Sequence, residues 1–152
     1  MNTYFNSEKF RHVMLYMSVG LYAVSIITPS LFGNAFISVA AVIFLFTGFI
    51  DLLSQDFLLG IFWLASPLLF IAWYQYRRKP VLSLICAAGS LICCCTGLVF
   101  FIQSGFYNFT NDLEILLIYF LGLFSIAIML VAAINQYLTQ RKLALTNKSR
   151  ES

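Results

Sequence analysis

Cysteine is the residue type in this sequence that is most readily assigned to chemistry. Three thiols are adjacent at Cys93, Cys94 and Cys95, and a fourth stands at Cys86. Such a group could hold a metal ion or take part in redox chemistry. Successive residues of a helix point about 100° apart, however, so three adjacent thiols cannot converge on one ion. We therefore predict no metal and no cofactor, with redox chemistry and lipidation of Cys86 left open as alternatives.

The same segment contains a stripe of small residues at helical spacing. Gly89, Cys93 and Gly97 recur every four residues, and Cys86 lies beside them. Small residues at this spacing let a neighbouring helix approach closely, which is one way that helices associate in a membrane. We predict that Cys86, Gly89, Cys93 and Gly97 are helix-packing residues.

Pro67 falls near the middle of an apolar segment. A proline inside a helix removes one backbone hydrogen bond and clashes with the carbonyl four residues earlier, here that of Trp63, so we predict a kink. Transporters use such breaks at binding sites. Neighbouring groups such as Ser66 commonly accommodate prolines in membrane helices, however, so a pathway role and a structural role both stay open.

Motifs of known catalytic chemistry are missing from the sequence. It contains no G-x-S-x-G, no H-E-x-x-H and no glycine-rich phosphate loop. Four acids, at Asp51, Asp56, Asp112 and Glu114, could gather a cation or lie as solvated charges near lipid headgroups. No charge lies in the interior of a predicted span, although ion pathways normally carry one. We predict that the protein is not an enzyme, and these features disfavour a transporter.

Composition indicates a membrane protein. Of the 152 residues, 61% are hydrophobic and 10% are charged, whereas soluble domains have about 45–50% apolar and about 25% charged residues. Six acids and nine bases are too few to cover a soluble domain of this length. The net charge of +3 does not indicate nucleic acid, because the bases flank apolar runs as topology signals do. We predict contact with the lipid bilayer and no nucleic-acid partner.

Five apolar segments must position these residues, and each has about the 20 residues that cross a bilayer as a helix. We predict an all-α fold, a polytopic bundle of transmembrane helices that forms a single domain over residues 1–152. Its predicted spans are residues 13–31, 32–53, 57–76, 81–103 and 113–135. A basic tail, 136–152, follows the last span.

A basic cluster determines the predicted orientation. Arginine or lysine at the bilayer centre costs about 2.5–3.5 kcal/mol, so three adjacent bases must lie at a membrane surface. Aromatic residues just before them form an interfacial belt. The topology anchors are Trp73, Tyr74, Tyr76, Arg77, Arg78 and Lys79. Because the basic tail falls on the same side two spans later, the positive-inside rule makes that side, and the C-terminus, cytoplasmic.

The N-terminus conflicts with this rule. Three full spans before Arg77 would place Lys9 and Arg11 on the outer side. An alternative of four spans plus one re-entrant or interfacial segment, drawn from 32–53, keeps both bases inside. Such a segment would also imply a cavity or a partner that buries its backbone. We expect five full spans and keep the four-span arrangement as the alternative.

Residues 48–79 resemble a group of small bacterial inner-membrane proteins. The likeness covers Gly-Phe-Ile-Asp-Leu-Leu-Ser from Gly48, Phe-Trp-Leu-Ala-Ser-Pro-Leu-Leu from Phe62, and the basic turn that begins at Arg77. Members are similar in having an F-x-W-L-A-x-P-type helix and a basic turn before two further spans. The resemblance spans about a fifth of the chain. It implies a polytopic architecture and a bacterial inner-membrane location, and it assigns no functional residue.

Three functions remain as hypotheses. The first is a non-catalytic membrane component that binds a protein partner or a second copy of itself, such as an accessory subunit, assembly factor or immunity protein. The second is a small oligomeric transporter or channel in which Pro67 marks the pathway. The third is a membrane enzyme without a recognisable motif.

Overall fold

Four helices make up the part of the protein that the structure describes. The structure is a computed structural model, and it describes residues 8–31, 57–103 and 113–151. The helices are α1 (Glu8–Leu31), α2 (Phe57–Gln75), α3 (Pro80–Gln103) and α4 (Leu113–Glu151). These residues contain no strand, so the all-α prediction is confirmed for them.

Helices α2 and α3 form a hairpin joined by the short turn 76–79. Neither helix contains a charged residue. The amide of Lys79 donates to the carbonyl of Gln75 over 2.8 Å, and the amide of Ser83 donates to the carbonyl of Lys79 over 3.0 Å. Helix α3 then begins at Pro80, a position where the missing amide hydrogen removes no helical bond. The two helices are therefore antiparallel neighbours.

Three helices are long and apolar enough to cross a membrane, which is consistent with an integral membrane protein. The stretches that meet this criterion of length and apolarity lie within Lys9–Ile27 in α1, Pro80–Val99 in α3 and Tyr119–Asn147 in α4. Large apolar side chains on these helices point outward, as lipid-facing residues do. The prediction of five spans is not supported. Its second span, 32–53, lies outside the described residues.

Side-chain contacts give the direction of each helix. Near its start α1 meets the turn 76–79, since Arg77 donates to His12. Further along α1, Tyr22 donates to Ser66 of α2. Contacts of α1 that advance along the chain therefore fall progressively earlier in α2, so α1 and α2 are antiparallel.

Helix α4 runs toward the turn 76–79. Its Tyr119 meets Cys94, far along α3 from the turn, whereas its Ser125 meets Ser18 of α1. The four helices therefore alternate in direction around a shared core, as in an up-down-up-down bundle. Residues at the centre of that core include Leu69, Ala72 and Met129, which are fully covered.

This arrangement corrects the predicted placement of the N-terminus. Five spans would have put Lys9 and Arg11 at the opposite end of the bundle from Arg77, but α1 begins beside that residue. The reason is that α1 and α2 are matched in opposite directions by their hydrogen bonds. We call this end of the bundle the basic end, and it holds Lys9, Arg11, His12, Arg77, Arg78, Lys79, Arg141 and Lys142.

The predicted C-terminal tail is a continuation of α4. This helix has 39 residues, which corresponds to about 58 Å, whereas the apolar core of a bilayer is about 30 Å thick. Its residues Ala132 and Ala133 are fully covered by the bundle, and residues 141–147 are all exposed. We call residues 140–147 the α4 arm, because they project beyond the bundle at the basic end.

We predict that the two ends of the chain are accessible from the same side of the membrane. Single cysteines at Lys9, Gln140 and Asp56, in a variant without the four natural cysteines, can be labelled in sealed vesicles with an impermeant maleimide. Lys9→Cys and Gln140→Cys should react from one side and Asp56→Cys from the other. Reaction of Lys9→Cys from the side of Asp56→Cys would contradict the antiparallel α1–α2 pair and restore the five-span arrangement.

Candidate functional site

Five serines are buried among the described residues, and several of them join neighbouring helices. Ser83 of α3 donates to the carbonyl of Ala72 in α2 over 2.9 Å. Two turns later, Ser90 donates to the carbonyl of Ala65 over 2.6 Å. A serine takes little space, so the helices approach closely enough for these bonds to form.

Ser18 and Ser125 form a reciprocal pair between the first and last helices. The Ser18 hydroxyl donates to the Ser125 carbonyl over 2.9 Å, and the Ser125 hydroxyl donates to the Ser18 carbonyl over 2.7 Å. Trp73 of α2 donates its indole N–H to the Ser18 oxygen over 3.0 Å. Three helices therefore meet at one fully buried hydroxyl.

An aromatic cluster covers this pair on the α2 side. Tyr22, Phe70 and Trp73 lie edge to face, with ring centroids 5.2–5.6 Å apart. The Tyr22 hydroxyl donates to Ser66 over 2.7 Å, directly before Pro67. Pro67 therefore lies beside a packed and hydrogen-bonded contact, and helix α2 continues through it. A functional role for Pro67 stays a prediction.

The cysteines of α3 point in different directions. Cys94 is buried, and its thiol lies 3.2 Å from the Tyr119 hydroxyl, which donates to the Cys94 carbonyl. Cys95 is exposed, while Cys93 packs against the core. No group of three metal-ligating side chains occurs within residues 8–31, 57–103 and 113–151 that the structure describes.

The predicted packing residues lie along one face of α3, at spacings of three and four residues. Cys86 is buried in the core, and Gly89 and Gly97 are half-buried. A Cβ atom at Gly89 would lie 3.4 Å from the Leu68 side chain of α2, so this glycine faces the hairpin partner within the same chain. Association of this stripe with another molecule stays a prediction.

Ser90 lies beside the small-residue stripe predicted for this helix, but Ser18, Ser83 and Ser125 were not predicted as packing residues. Ser83, Ala87, Ser90 and Cys94 are all buried and repeat at spacings of four and three residues. That spacing is the pattern of a helix seam, and it would have identified the buried face of α3. Ser18 and Ser125 are 107 residues apart, and no local pattern pairs them.

The topology anchors of the basic end take different positions. Tyr74 is 62% exposed, and its ring and hydroxyl contact Arg78 at 4.8 Å and 2.7 Å. Trp73 turns inward to Ser18. Arg77 and Lys79 are exposed, and Arg77 donates to the His12 ring at 2.8–3.0 Å. Only some of the predicted aromatic belt therefore lies on the surface.

Tyr76 is unusual because it is buried while its hydroxyl lacks a partner. The residue is 2% exposed, and neither its hydroxyl nor the Oε1 atom of Gln75 has a hydrogen-bond partner among the described residues. Burial raises the pKa of Tyr76, and the charges of Arg11 and Arg77 partly offset that rise. Both guanidinium groups therefore act electrostatically on this phenol.

Comparison with protein-family models, with curated proteins and with solved structures gives no match for this chain. Its function must therefore be argued from its own geometry. The hydroxyls of Ser18, Ser83, Ser90 and Ser125 bond to other helices, so these buried polar groups have a structural role. Within the described residues, exposed charged side chains are found at the basic end and on the α4 arm.

We predict that Ser18→Ala destabilises the bundle more than Ser125→Ala does. The first change removes the acceptor of Trp73 as well as the bond to Ser125, so it should cost about 1–2 kcal/mol in unfolding free energy. Thr96→Ala is a matched control, since the Thr96 hydroxyl bonds only within its own helix. Denaturation in mixed micelles measures all three variants. Equal losses in Ser18→Ala and Thr96→Ala would contradict the role of this pair.

The Gly89 contact generates a second prediction. Gly89→Ala should be tolerated, since its Cβ atom would meet Leu68 at an ordinary contact distance and alanine favours helix by about 1 kcal/mol. Gly89→Leu should cost about 1–3 kcal/mol by overpacking the hairpin. The same denaturation assay measures this difference. Full stability of Gly89→Leu would place this position on an outer face.

Proposed function

We propose that this protein is a non-catalytic integral membrane component that binds a protein partner through the α4 arm. One observation carries the proposal: on this arm Leu143 and Leu145 are 60% and 62% exposed. Arg141 and Lys142 are exposed beside them. An accessory subunit, assembly factor or immunity protein would use such a surface.

The geometry of α4 supports contact with a partner outside the lipid. Because the arm continues a helix that crosses the bundle, it is directed away from the bilayer core. Burial of an exposed leucine side chain against a partner stabilises the complex by about 1.5–3 kcal/mol. Leu143 and Leu145 point in nearly opposite directions, but Leu145 shares a helix face with Arg141 and Lys142, four and three residues earlier. That face fits a groove with an apolar floor and an acidic rim. The partner that we propose therefore has an acidic surface.

We further propose that the basic end faces the cytoplasm of a bacterium and that the bundle lies in its inner membrane. The positive-inside rule supports this orientation, because bases of α1, of the turn 76–79 and of α4 share one end. In this topology four helices cross the membrane. This topology corresponds to the alternative of four spans plus one re-entrant or interfacial segment drawn from 32–53.

A photocrosslinking experiment tests the partner proposal. A photoreactive amino acid at Leu145 should give one discrete protein adduct in living cells, and Ile85, which is exposed on the lipid-facing surface of α3, is the matched control. Arg141→Glu with Lys142→Glu should reduce the adduct about tenfold or more, because each lost ion pair at an interface costs about 1 kcal/mol or more. Arg141→Lys with Lys142→Arg should preserve it.

Two outcomes would overturn the proposal. The first is the absence of any protein adduct at Leu145 while the protein is inserted and stable. The second is an adduct that survives the charge reversal, since the arm would then meet neighbours without selecting an acidic surface. An adduct with twice the mass of the chain identifies the partner as a second copy.

A further inference from the structure

The one histidine of the sequence lies at the basic end. His12 of α1 is half-buried, and the exposed Arg77 of the turn 76–79 contacts its ring. The guanidinium Nη2 atom lies 3.0 Å from the ring Nδ1 atom and 2.8 Å from the ring Nε2 atom. Whichever of these nitrogens carries the hydrogen in a neutral ring, the other is close enough to accept a hydrogen bond from Arg77.

This contact requires an uncharged ring. A neutral imidazole has one nitrogen that accepts a hydrogen bond, whereas a protonated imidazole has two donors and no acceptor. Protonation of His12 would remove the acceptor and place a second cation 2.8–3.0 Å from the Arg77 nitrogen. Imidazole is the side chain that ordinarily changes its charge between about pH 5 and pH 8. Mild acidification therefore acts on this contact.

The charged groups that surround His12 are mainly cations. Lys9 and Arg11 lie within one turn of it on α1, and the Tyr16 ring follows at a centroid distance of 6.5 Å. The turn 76–79 adds one phenol and three bases, namely Tyr76, Arg77, Arg78 and Lys79. A proton on His12 would therefore add a cation to a region that already repels one.

Neighbouring helices supply no carboxylate to offset this charge, because residues 57–111 and 115–150 contain no acid. Their ionisable groups nearest to the basic end are Tyr74 in α2, Cys86 in α3, and Tyr137, Arg141 and Lys142 in α4. Glu8 stands one helical turn before His12 in the sequence. A pair between these two residues would lie within α1 and would not hold α1 to the turn 76–79.

We propose that His12 and Arg77 form a pH-sensitive latch, which docks the start of α1 on the turn 76–79 while the imidazole is neutral and releases it when the imidazole is protonated. Docking is therefore strongest at a pH where the ring is uncharged, and it weakens as the pH falls. Acidification on the side of the basic end loosens the start of α1.

The segment that the latch controls is short. Met14 and Leu15 pack against the core, and Ser18 bonds to α4, so these residues hold the remainder of α1 in place. Residues 8–12 precede those contacts and are the part that is released. The inference does not rest on a partner of the α4 arm, since neither His12 nor Arg77 belongs to that arm.

The motion of a single spin label tests the latch. Lys9→Cys is labelled in a full-length variant without the four natural cysteines, in nanodiscs of phosphatidylcholine, whose headgroup does not titrate between pH 5 and pH 8. Continuous-wave electron paramagnetic resonance gives the ratio of mobile to immobile label. We expect this ratio to rise about fivefold from pH 8 to pH 5, the upper range for an exposed pair of charges.

Substitutions at the two latch residues separate this effect from other titrations. In His12→Gln a neutral amide still accepts from Arg77, so the label should stay immobile at both pH values. His12→Lys is charged throughout, so the label should be mobile at both. Arg77→Gln can donate to the neutral ring and accept from the protonated one, so it should abolish most of the pH response. Arg141→Gln removes an equal charge from the α4 arm and should keep the response.

Three results would overturn the latch. The first is an equal ratio of mobile label at pH 8 and pH 5 in the protein that retains His12. The second is an equal pH response in His12→Gln, which would assign the change to another group. The third is an undiminished response in Arg77→Gln, since the histidine would then act without this arginine.

Discussion

The reciprocal hydrogen bonds between Ser18 and Ser125 are the contact on which the rest of the bundle depends. They connect the first described helix to the last, across 107 residues, and Trp73 ties α2 to the same hydroxyl. In lipid the hydrophobic effect contributes little to helix association, so close packing and hydrogen bonds must hold the helices together. A buried Ser18 oxygen without these partners would be costly, which selects the one arrangement in which three helices meet there.

Hydrogen bonds from serine hydroxyls to backbone carbonyls also join α2 and α3 in the hairpin. Ser83 and Ser90 each donate to a carbonyl of α2, and small residues on both helices let the backbones approach. Because these bonds are spread along the helices, the direction of each helix is determined by several contacts at once. Shifting α3 along α2 by one turn would break both bonds together. The positions of the serines therefore determine the register of α3 along α2.

Hydrophobic runs and turn signals were enough to predict that the described residues form helices and that the chain turns back at Arg77. They could not predict how α1 docks, because Ser18, Tyr22 and His12 find partners far away in sequence. Counting spans by length placed Lys9 and Arg11 at the wrong end, since length alone does not show whether a segment crosses the membrane. The predicted aromatic belt was partly wrong for a similar reason. The indole N–H of Trp73 donates to the buried Ser18 hydroxyl, so this side chain does not lie among the headgroups.

The observed direction of α1 also changes how the basic residues are distributed between the two ends of the bundle. If Lys9 and Arg11 lay opposite Arg77, each end would hold a modest charge and the positive-inside rule would be violated once. With α1 antiparallel to α2, every base falls at one end, where the N-termini of α1 and α3 lie beside the C-terminus of α2 and the helix dipoles largely offset each other. Like charges collected in this way repel one another unless anions surround them. The serine contacts that set the direction of α1 therefore also create the electrostatic environment in which Tyr76 and Gln75 are buried.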